Sequence, residues 1–202
     1  MGFRSKSSCN DEIETLEGKG DSLLQAILDD DSDKLLDLIS NLSKGTVIFF
    51  PNISTKLPQF LSYKPSLLSI SCFFASKNCF RSLLSHASNT NAFAVDNKGR
   101  ASIHFAAAGG SLEIFKELDQ HFENEKSRKG AFPSKGGRRI KKDPYNFRDS
   151  SGKTPMHYAA QFGRLDIIKY LHLKGAYLDW YQYKQQWRPI HLACLYGHAD
   201  VV

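Results

Sequence analysis

A segment of ten residues occurs three times from residue 101 onward and constrains the fold more than any other feature. The segment TPMHYAAQFG at residues 154–163 reappears as RPIHLACLYG at 188–197, 34 positions later. The same frame fits ASIHFAAAGG at 101–110, where the longer spacing of 53 positions is explained if about 20 residues are inserted into one repeat. A fixed period of roughly 20 to 50 residues indicates stacked repeats and takes priority over an interpretation as one globular domain.

Each copy carries the signals of a short helix pair. Thr154 is a good N-cap, because its hydroxyl can accept a hydrogen bond from an unpaired backbone N–H, and Pro155 suits the first helical position. Gly163, like Gly197 in the next copy, suits the tight turn into a second helix with one apolar stripe. Two such short helices cannot bury their apolar faces alone, so the repeats are expected to stack.

This arrangement resembles the ankyrin repeat, whose pattern has a G-x-T-P-L-H-x-A-A-x-x-G core, a V-x-x-L-L second helix and a terminal G-A. Residues 152–176 match nearly every element in order. Degraded copies near residues 66 and 21 look similar to repeats of expanded protist ankyrin families. The resemblance implies an all-α solenoid of stacked helix-turn-helix units with short β-hairpin fingers, with repeats that begin near residues 21, 66, 101, 154 and 188.

On this basis the chain divides into five segments. They are a polar N-terminal segment (1–20), a degenerate first repeat with its connector (21–63), repeats 2 and 3 (64–122), a basic flexible insert (123–148), and repeat 4 with a truncated repeat 5 (149–202). The fifth repeat stops at Val202, where its second helix would begin, and would leave apolar helix surface uncovered. We therefore expect that the sequence is a fragment or that its natural chain continues.

The resemblance also assigns structural roles to residues that share one position in the frame. His104, His157 and His191 hold the same place, and in the family this imidazole makes hydrogen bonds that tie adjacent repeats together. Cys72 and Cys194 hold the place of a small alanine, so we expect both to be buried fillers.

No motif for catalysis is present in the sequence. It contains no phosphate-binding loop ending in Gly-Lys-Ser/Thr, no H-E-x-x-H and no G-x-S-x-G, and its four cysteines show no C-x-x-C pair. We therefore expect a non-enzymatic protein with no catalytic residue, metal site, cofactor or small-molecule substrate. The longest apolar stretches are much shorter than the roughly 18 residues of a membrane span, and no secretory signal is present, so we expect an intracellular protein, in the cytoplasm in the first instance.

Recognition of another protein is the remaining mechanism, and an aromatic loop is the strongest candidate surface. The finger before the last copy has the sequence DWYQYKQQW (179–187), with Gln185 or Gln186 where the family has glycine and one residue extra. Trp and Tyr dominate interface hot spots. We expect the partner to contact this finger and the adjacent concave face through Trp180, Tyr181, Tyr183, Trp187, Phe162 and Tyr196. The alternative is that either tryptophan only packs beneath the finger against Phe162 or Tyr196.

The basic insert at residues 123–148 is the second feature with a potential binding role, and holds nine basic and three acidic residues. Its densest part resembles a short nuclear-localisation cluster and consists of Arg138, Arg139, Lys141 and Lys142. The same cluster could contact phosphates or an acidic partner, or be a solvated loop. Two alternatives to a protein-interaction module therefore stay open. One is a nucleic-acid or chromatin-associated factor that uses this insert, and the other is the targeting domain of a larger multidomain protein.

Overall fold

The computed structural model describes residues 19–40, 48–50, 58–86, 91–129 and 143–202, and these residues form helices and turns without a strand. The predicted all-α architecture is confirmed. Three short 3₁₀ helices lie in the connections, at Gln59–Leu61, Asn91–Phe93 and Pro144–Asn146. The α-helices of the described residues are α1 (Gly20–Leu28), α2 (Ser32–Ile39), α3 (Leu67–Phe74), α4 (Lys77–His86), α5 (Ser102–Gly109), α6 (Leu112–Lys129), α7 (Pro155–Gln161), α8 (Leu165–Leu173) and α9 (Pro189–Leu195).

The helices pair and stack along the chain. The pairs α1/α2, α3/α4, α5/α6 and α7/α8 follow one another, and α3, α5, α7 and α9 begin one residue after the repeat starts expected at 66, 101, 154 and 188. These four first helices pack side by side in chain order, α3 on α5, α5 on α7 and α7 on α9. They can approach closely because small side chains line the contacts, including Ala107, Ala160 and Ala193, all of them buried.

A second contact between repeats recurs at the turn glycine. Gly110 and Gly163 have positive φ angles of 87° and 65°, which a glycine adopts without strain. The Arg164 Nε donates to the carbonyl oxygen of Ala108 (3.0 Å), and its side chain lies against Gly110. One repeat later, the His198 Nε2 donates to the carbonyl oxygen of Gln161 (3.0 Å), and its ring lies against Gly163. Each of these turns is therefore closed by a side chain of the following repeat.

The expected β-hairpin fingers are turns rather than strands in the described part of the chain. In the first two, the Asp96 N–H donates to the Arg100 carbonyl (3.0 Å) and the Asp149 N–H to the Lys153 carbonyl (2.9 Å). One such backbone pair closes a turn, but it is too short for a strand ladder. The turns are joined across repeats, because the Ser150 N–H donates to the Lys98 carbonyl (2.8 Å).

The predicted boundaries of the basic insert were wrong at both ends. Helix α6 continues through residue 123 and ends only at Lys129, because this stretch is rich in Glu, Lys and Arg, which favour helix. At the other end, Tyr145 and Asn146 are buried, and the Tyr145 hydroxyl donates to the buried Asp119 carboxylate. The basic cluster Arg138, Arg139, Lys141 and Lys142 lies outside the described residues.

The two cysteines expected as buried fillers differ in their environment. Cys72 is fully buried, and burial raises the pKa of its thiol. Cys194 is exposed, which corrects the expectation. The reason is that α9 packs on α7, while residues 196–202 form only turns beside it and leave Ile190, Leu195 and Tyr196 exposed as well.

In the part of the chain that the structure describes, no helix combines the length and the apolar character needed to cross a membrane.

Candidate functional site

The aromatic finger, defined as residues 177–187, connects α8 to α9 and is held by backbone hydrogen bonds. The Gln182 N–H donates to the Trp187 carbonyl (3.0 Å), and the Tyr183 N–H donates to the Ser151 carbonyl of the preceding finger (2.8 Å). Gln186 has a φ of 54°, in the left-handed region that glycine favours. It therefore takes the role of Gly99 and Gly152 in the earlier fingers, whose φ values are 74° and 86°.

Most aromatic rings of the finger gather around one cation. Trp180 stacks on Tyr177 with 5.0 Å between ring centroids. The guanidinium carbon of Arg148 lies 4.1 Å from the Trp180 ring centroid, 5.3 Å from that of Tyr183 and 5.9 Å from that of Tyr181. These distances are in the range of cation–π attraction, which holds the rings in place. Sequence reasoning missed Arg148, because it belongs to the preceding finger.

Four rings of the finger are also open to solvent. Tyr177 is 54% exposed, Tyr181 49%, Tyr183 52% and Trp187 36%. Trp180 is half-buried between its neighbours. The outer surface of the finger is therefore aromatic, accessible and fixed in position.

Phe162 lies in a different cluster from the finger. Its ring centroid lies 5.2 Å from that of Phe60 and 5.9 Å from that of Phe73, and the residue is half-buried. Tyr196 is exposed, and its hydroxyl accepts a hydrogen bond from the Gln161 Nε2 at 3.4 Å. No ring contact among the described residues joins Phe162 or Tyr196 to the finger, so the six predicted binding residues do not form one contiguous aromatic cluster.

Phe60 occupies the face of the first helices where a concave binding surface was expected. It comes from the connector between repeats 1 and 2, and its ring centroid lies 5.2 to 5.5 Å from rings of repeats 2, 3 and 4. We call this group the Phe60 cluster, which consists of Phe60, Phe73, Phe105, Tyr158 and Phe162. No signal in the sequence indicated it, because the connector lies outside the repeat frame.

Arg100 contacts both the ring and the backbone of Phe60. Its guanidinium carbon lies 4.3 Å from the Phe60 ring centroid, and its Nη2 donates to the Phe60 carbonyl (2.6 Å). The same guanidinium pairs with the Asp96 carboxylate at 2.5 Å, and both side chains are buried. Removing one partner of such a pair would leave an uncompensated buried charge. Arg100 therefore holds the connector through two contacts, the hydrogen bond to the Phe60 carbonyl and the cation–π contact with the Phe60 ring.

The histidines of the repeat frame join successive repeats. The His104 Nδ1 accepts from the Ala101 N–H (3.0 Å), and its Nε2 donates to the Phe147 carbonyl (3.0 Å). The His157 Nε2 donates in the same way to the Trp187 carbonyl (3.1 Å). Burial lowers the pKa of both histidines, that of His157 to about 4, so both are neutral at physiological pH.

His191 differs from the two buried histidines. Its Nδ1 accepts from the Arg188 N–H (2.9 Å), but the residue is exposed, and the described residues provide no hydrogen bond to its Nε2. Within the described stack there is no following finger beside α9 to supply a carbonyl.

Thr154 caps its helix differently from the prediction. The His157 Nδ1 accepts from the Thr154 N–H (3.1 Å), so this nitrogen carries no proton. The Thr154 hydroxyl, 2.9 Å from the same nitrogen, is therefore a donor to the imidazole. Pro155 begins the helix as expected.

Sequence reasoning also missed a second polar cluster, whose hydrogen bonds and ion pair join two repeats. The buried Asp119 carboxylate accepts from the hydroxyls of Tyr145 and Tyr170 and pairs with the Lys174 Nζ at 2.7 Å. It therefore links the third repeat to the fourth. No group of three or more His, Cys, Asp or Glu side chains in the described ranges is placed to hold a metal ion.

Comparison with protein families agrees with this geometry. Residues 137–202 match the family model described as Ankyrin repeats (3 copies). This part of the chain consists of ankyrin repeats. The resemblance inferred from the sequence motifs is thereby confirmed for residues 137–202, and ankyrin repeats are typically protein-interaction modules and usually non-catalytic. No curated protein matches the chain.

Proposed function

We propose that this protein is a non-enzymatic interaction module, a scaffold or adaptor, that binds another protein through the aromatic finger. The observation that carries the proposal is the combination of rigidity and exposure at Tyr181, Tyr183 and Trp187. Backbone hydrogen bonds from Gln182 and Tyr183 hold the loop, and each of the three rings is at least one-third exposed.

Rigid, exposed aromatic rings are suited to anchoring a partner. Tyr and Trp supply a large contact area and have few side-chain torsions, so little conformational entropy is lost when a partner covers them. Three such rings on one loop also make an apolar patch that water solvates poorly.

The Phe60 cluster restricts where the partner binds. Because Phe60 contacts rings of repeats 2, 3 and 4, the chain itself fills the face of the first helices there. We therefore place the interface on the finger, together with the exposed Tyr196, and not across the whole concave face. Phe162 takes no part in this interface.

The experiment is an affinity capture from native lysate with the full chain and two double variants. Tyr181→Ala/Trp187→Ala removes two exposed finger rings, whereas Leu28→Ala/Phe49→Ala removes two exposed apolar side chains from the first repeat and its connector. The captured proteins are quantified at low and raised salt. Circular dichroism checks that both variants are folded.

The proposal requires a protein partner that survives raised salt, is lost with the finger variant and is retained by the control variant. Equal capture by both variants would contradict it. Recovery of salt-labile nucleic acid instead, equally by both variants, would transfer the function to the basic insert.

A further inference from the structure

Arg148 is a cation without a charged partner at the centre of the aromatic finger. Its guanidinium lies against Trp180, Tyr183 and Tyr181, yet its Nε is buried and has no hydrogen-bond partner in the described part of the chain. No ion pair of Arg148 is present there either. By contrast, the buried Arg100 is paired with the Asp96 carboxylate.

The carboxylates of Asp149 and Asp179 have other hydrogen-bond or ion-pair partners than Arg148. The Asp149 carboxylate, adjacent in sequence, accepts from the Tyr158 hydroxyl (2.6 Å) and from the N–H groups of Ser151 and Lys153. On the finger itself, the exposed Asp179 is 3.6 Å from the Arg188 Nη1. Among the described residues, the Arg148 guanidinium therefore contacts aromatic rings and no carboxylate, which leaves it able to pair with a carboxylate from a partner.

We propose that the aromatic finger binds an acidic peptide segment, with an Asp or Glu carboxylate on the Arg148 guanidinium and adjacent apolar side chains against Tyr181 and Tyr183. A guanidinium presents several N–H donors in a planar fork that fits a carboxylate, and charge-assisted hydrogen bonds of this kind are the strong ones. The inference rests on the proposed function and names the partner's chemistry at the same surface.

The geometry favours a peptide over a nucleic acid. Single-stranded nucleic acid binds by stacking successive bases on free aromatic faces beside a row of phosphate contacts. Here the Trp180 ring already carries Tyr177 and the Arg148 guanidinium. Lys184 is the cation within the finger itself, and Arg188, which follows the finger, is beside Asp179. One guanidinium among exposed tyrosines is suited to one carboxylate in an apolar setting.

The test is a selection from an unbiased library of random displayed peptides with the full chain. Two variants are carried in parallel. Arg148→Gln removes the cation that the rings surround, and Lys184→Gln removes an exposed cation from the aromatic finger, so both lower the charge of the chain by one. The selected peptides are sequenced, and their affinities are measured in solution. The acid of each selected peptide is then replaced by its amide.

We expect enrichment of peptides with Asp or Glu next to apolar residues, and a loss of affinity of roughly tenfold or more with Arg148→Gln but less than about threefold with Lys184→Gln. Replacing the peptide acid by its amide should weaken binding to the wild-type chain and make little difference to Arg148→Gln. This double-mutant cycle separates the pairing of the two charges from effects that each substitution has by itself.

Three outcomes would overturn the inference. They are enrichment of neutral or basic peptides, equal binding to the wild type and Arg148→Gln, and a single-stranded oligonucleotide probe that competes with the selected peptides and itself requires Arg148. Failure here is distinguishable from failure of the proposed function. If a cellular partner is lost with Tyr181→Ala/Trp187→Ala but retained by Arg148→Gln, the finger is still the interface, and only the proposed contact of Arg148 with an acidic peptide is wrong.

Discussion

The His157 Nε2 lies 3.1 Å from the backbone carbonyl oxygen of Trp187 and donates a hydrogen bond to it. A buried histidine of the fourth repeat thus holds the base of the aromatic finger. In the neutral imidazole the proton lies on Nε2, because the opposite nitrogen accepts from the Thr154 N–H. Protonation of His157 would remove the acceptor of the Thr154 N–H, whereas the Nε2–H would still donate to the Trp187 carbonyl.

Stability should fall as the pH is lowered from about 6.5 to 4. Burial lowers the pKa of His157 to about 4, so the unfolded chain binds a proton in this window while the folded chain does not. A shift of this size corresponds to roughly 3 kcal/mol of unfolding free energy lost by pH 4. Urea denaturation across this pH range measures it.

His157→Gln should flatten this part of the pH profile, and His172→Gln, at an exposed position on α8, should leave its slope unchanged. The account of His157 would be wrong if the slope between pH 6.5 and 4 were the same in the wild type and His157→Gln.

Gln186→Gly should stabilise the protein. Gln186 has a φ of 54°, and a left-handed conformation costs a residue with a Cβ about 1 kcal/mol relative to glycine. The gain should appear as a higher urea midpoint with an unchanged slope. Gln185→Gly is the matched control, because Gln185 is not among the residues of positive φ and glycine there only adds freedom to the unfolded chain. An equal or larger gain from Gln185→Gly would contradict the assignment of the strain to Gln186.

Gly163→Ala should destabilise the protein more than Gly197→Ala. Both glycines have positive φ, so both substitutions carry a similar backbone penalty of about 1 kcal/mol. A Cβ on Gly163 would also lie 2.5 Å from the Nδ1 of His198 and displace its hydrogen bond to Gln161, whereas nothing lies within 4 Å of one on Gly197. The difference in unfolding free energy should be about 1 kcal/mol. Equal losses would mean that the His198 contact contributes nothing to the stacking of the last two repeats.

Phe60→Ala should loosen the stack across three repeats at once. The ring is half-buried and contacts Phe73, Phe105 and Phe162, so its loss should lower the unfolding free energy by roughly 2 kcal/mol. Phe49→Ala removes an exposed ring from the same connector and should change stability by less than about 0.5 kcal/mol. Thermal unfolding of the two variants compares them directly, and equal melting temperatures would show that the Phe60 cluster has no role in stability.

The elements within the repeat frame could be predicted from the sequence, because their signals are local. Pro155 and the small alanines act within one helix, and Gly163 acts within one turn. Residue Gln186 was also expected near the glycine position, although its backbone geometry followed only from the structure. The residue type at each of these positions is set by the local backbone conformation, and the same types recur with the period of the repeats.

The features that sequence reasoning missed depend on contacts between segments outside the frame. The Phe60 ring contacts rings of three repeats, but Phe60 belongs to a connector that does not follow the repeat pattern. Arg148 meets the rings of a finger about 30 residues later. The exposure of Cys194 depends on what packs against α9, and the buried end of the insert at Tyr145 depends on Asp119 in another helix. None of these contacts has a periodic or local signature.

The most direct test of the aromatic finger as the partner-binding surface is site-specific photo-crosslinking in native lysate. A photoreactive phenylalanine analogue replaces either Tyr181 on the finger or Lys169, an exposed residue on α8. We predict an adduct with a second protein from position 181 and none from position 169, and we predict that the additional substitution Trp187→Ala removes the adduct. An adduct from position 169 alone, or no protein adduct from position 181, would contradict the account.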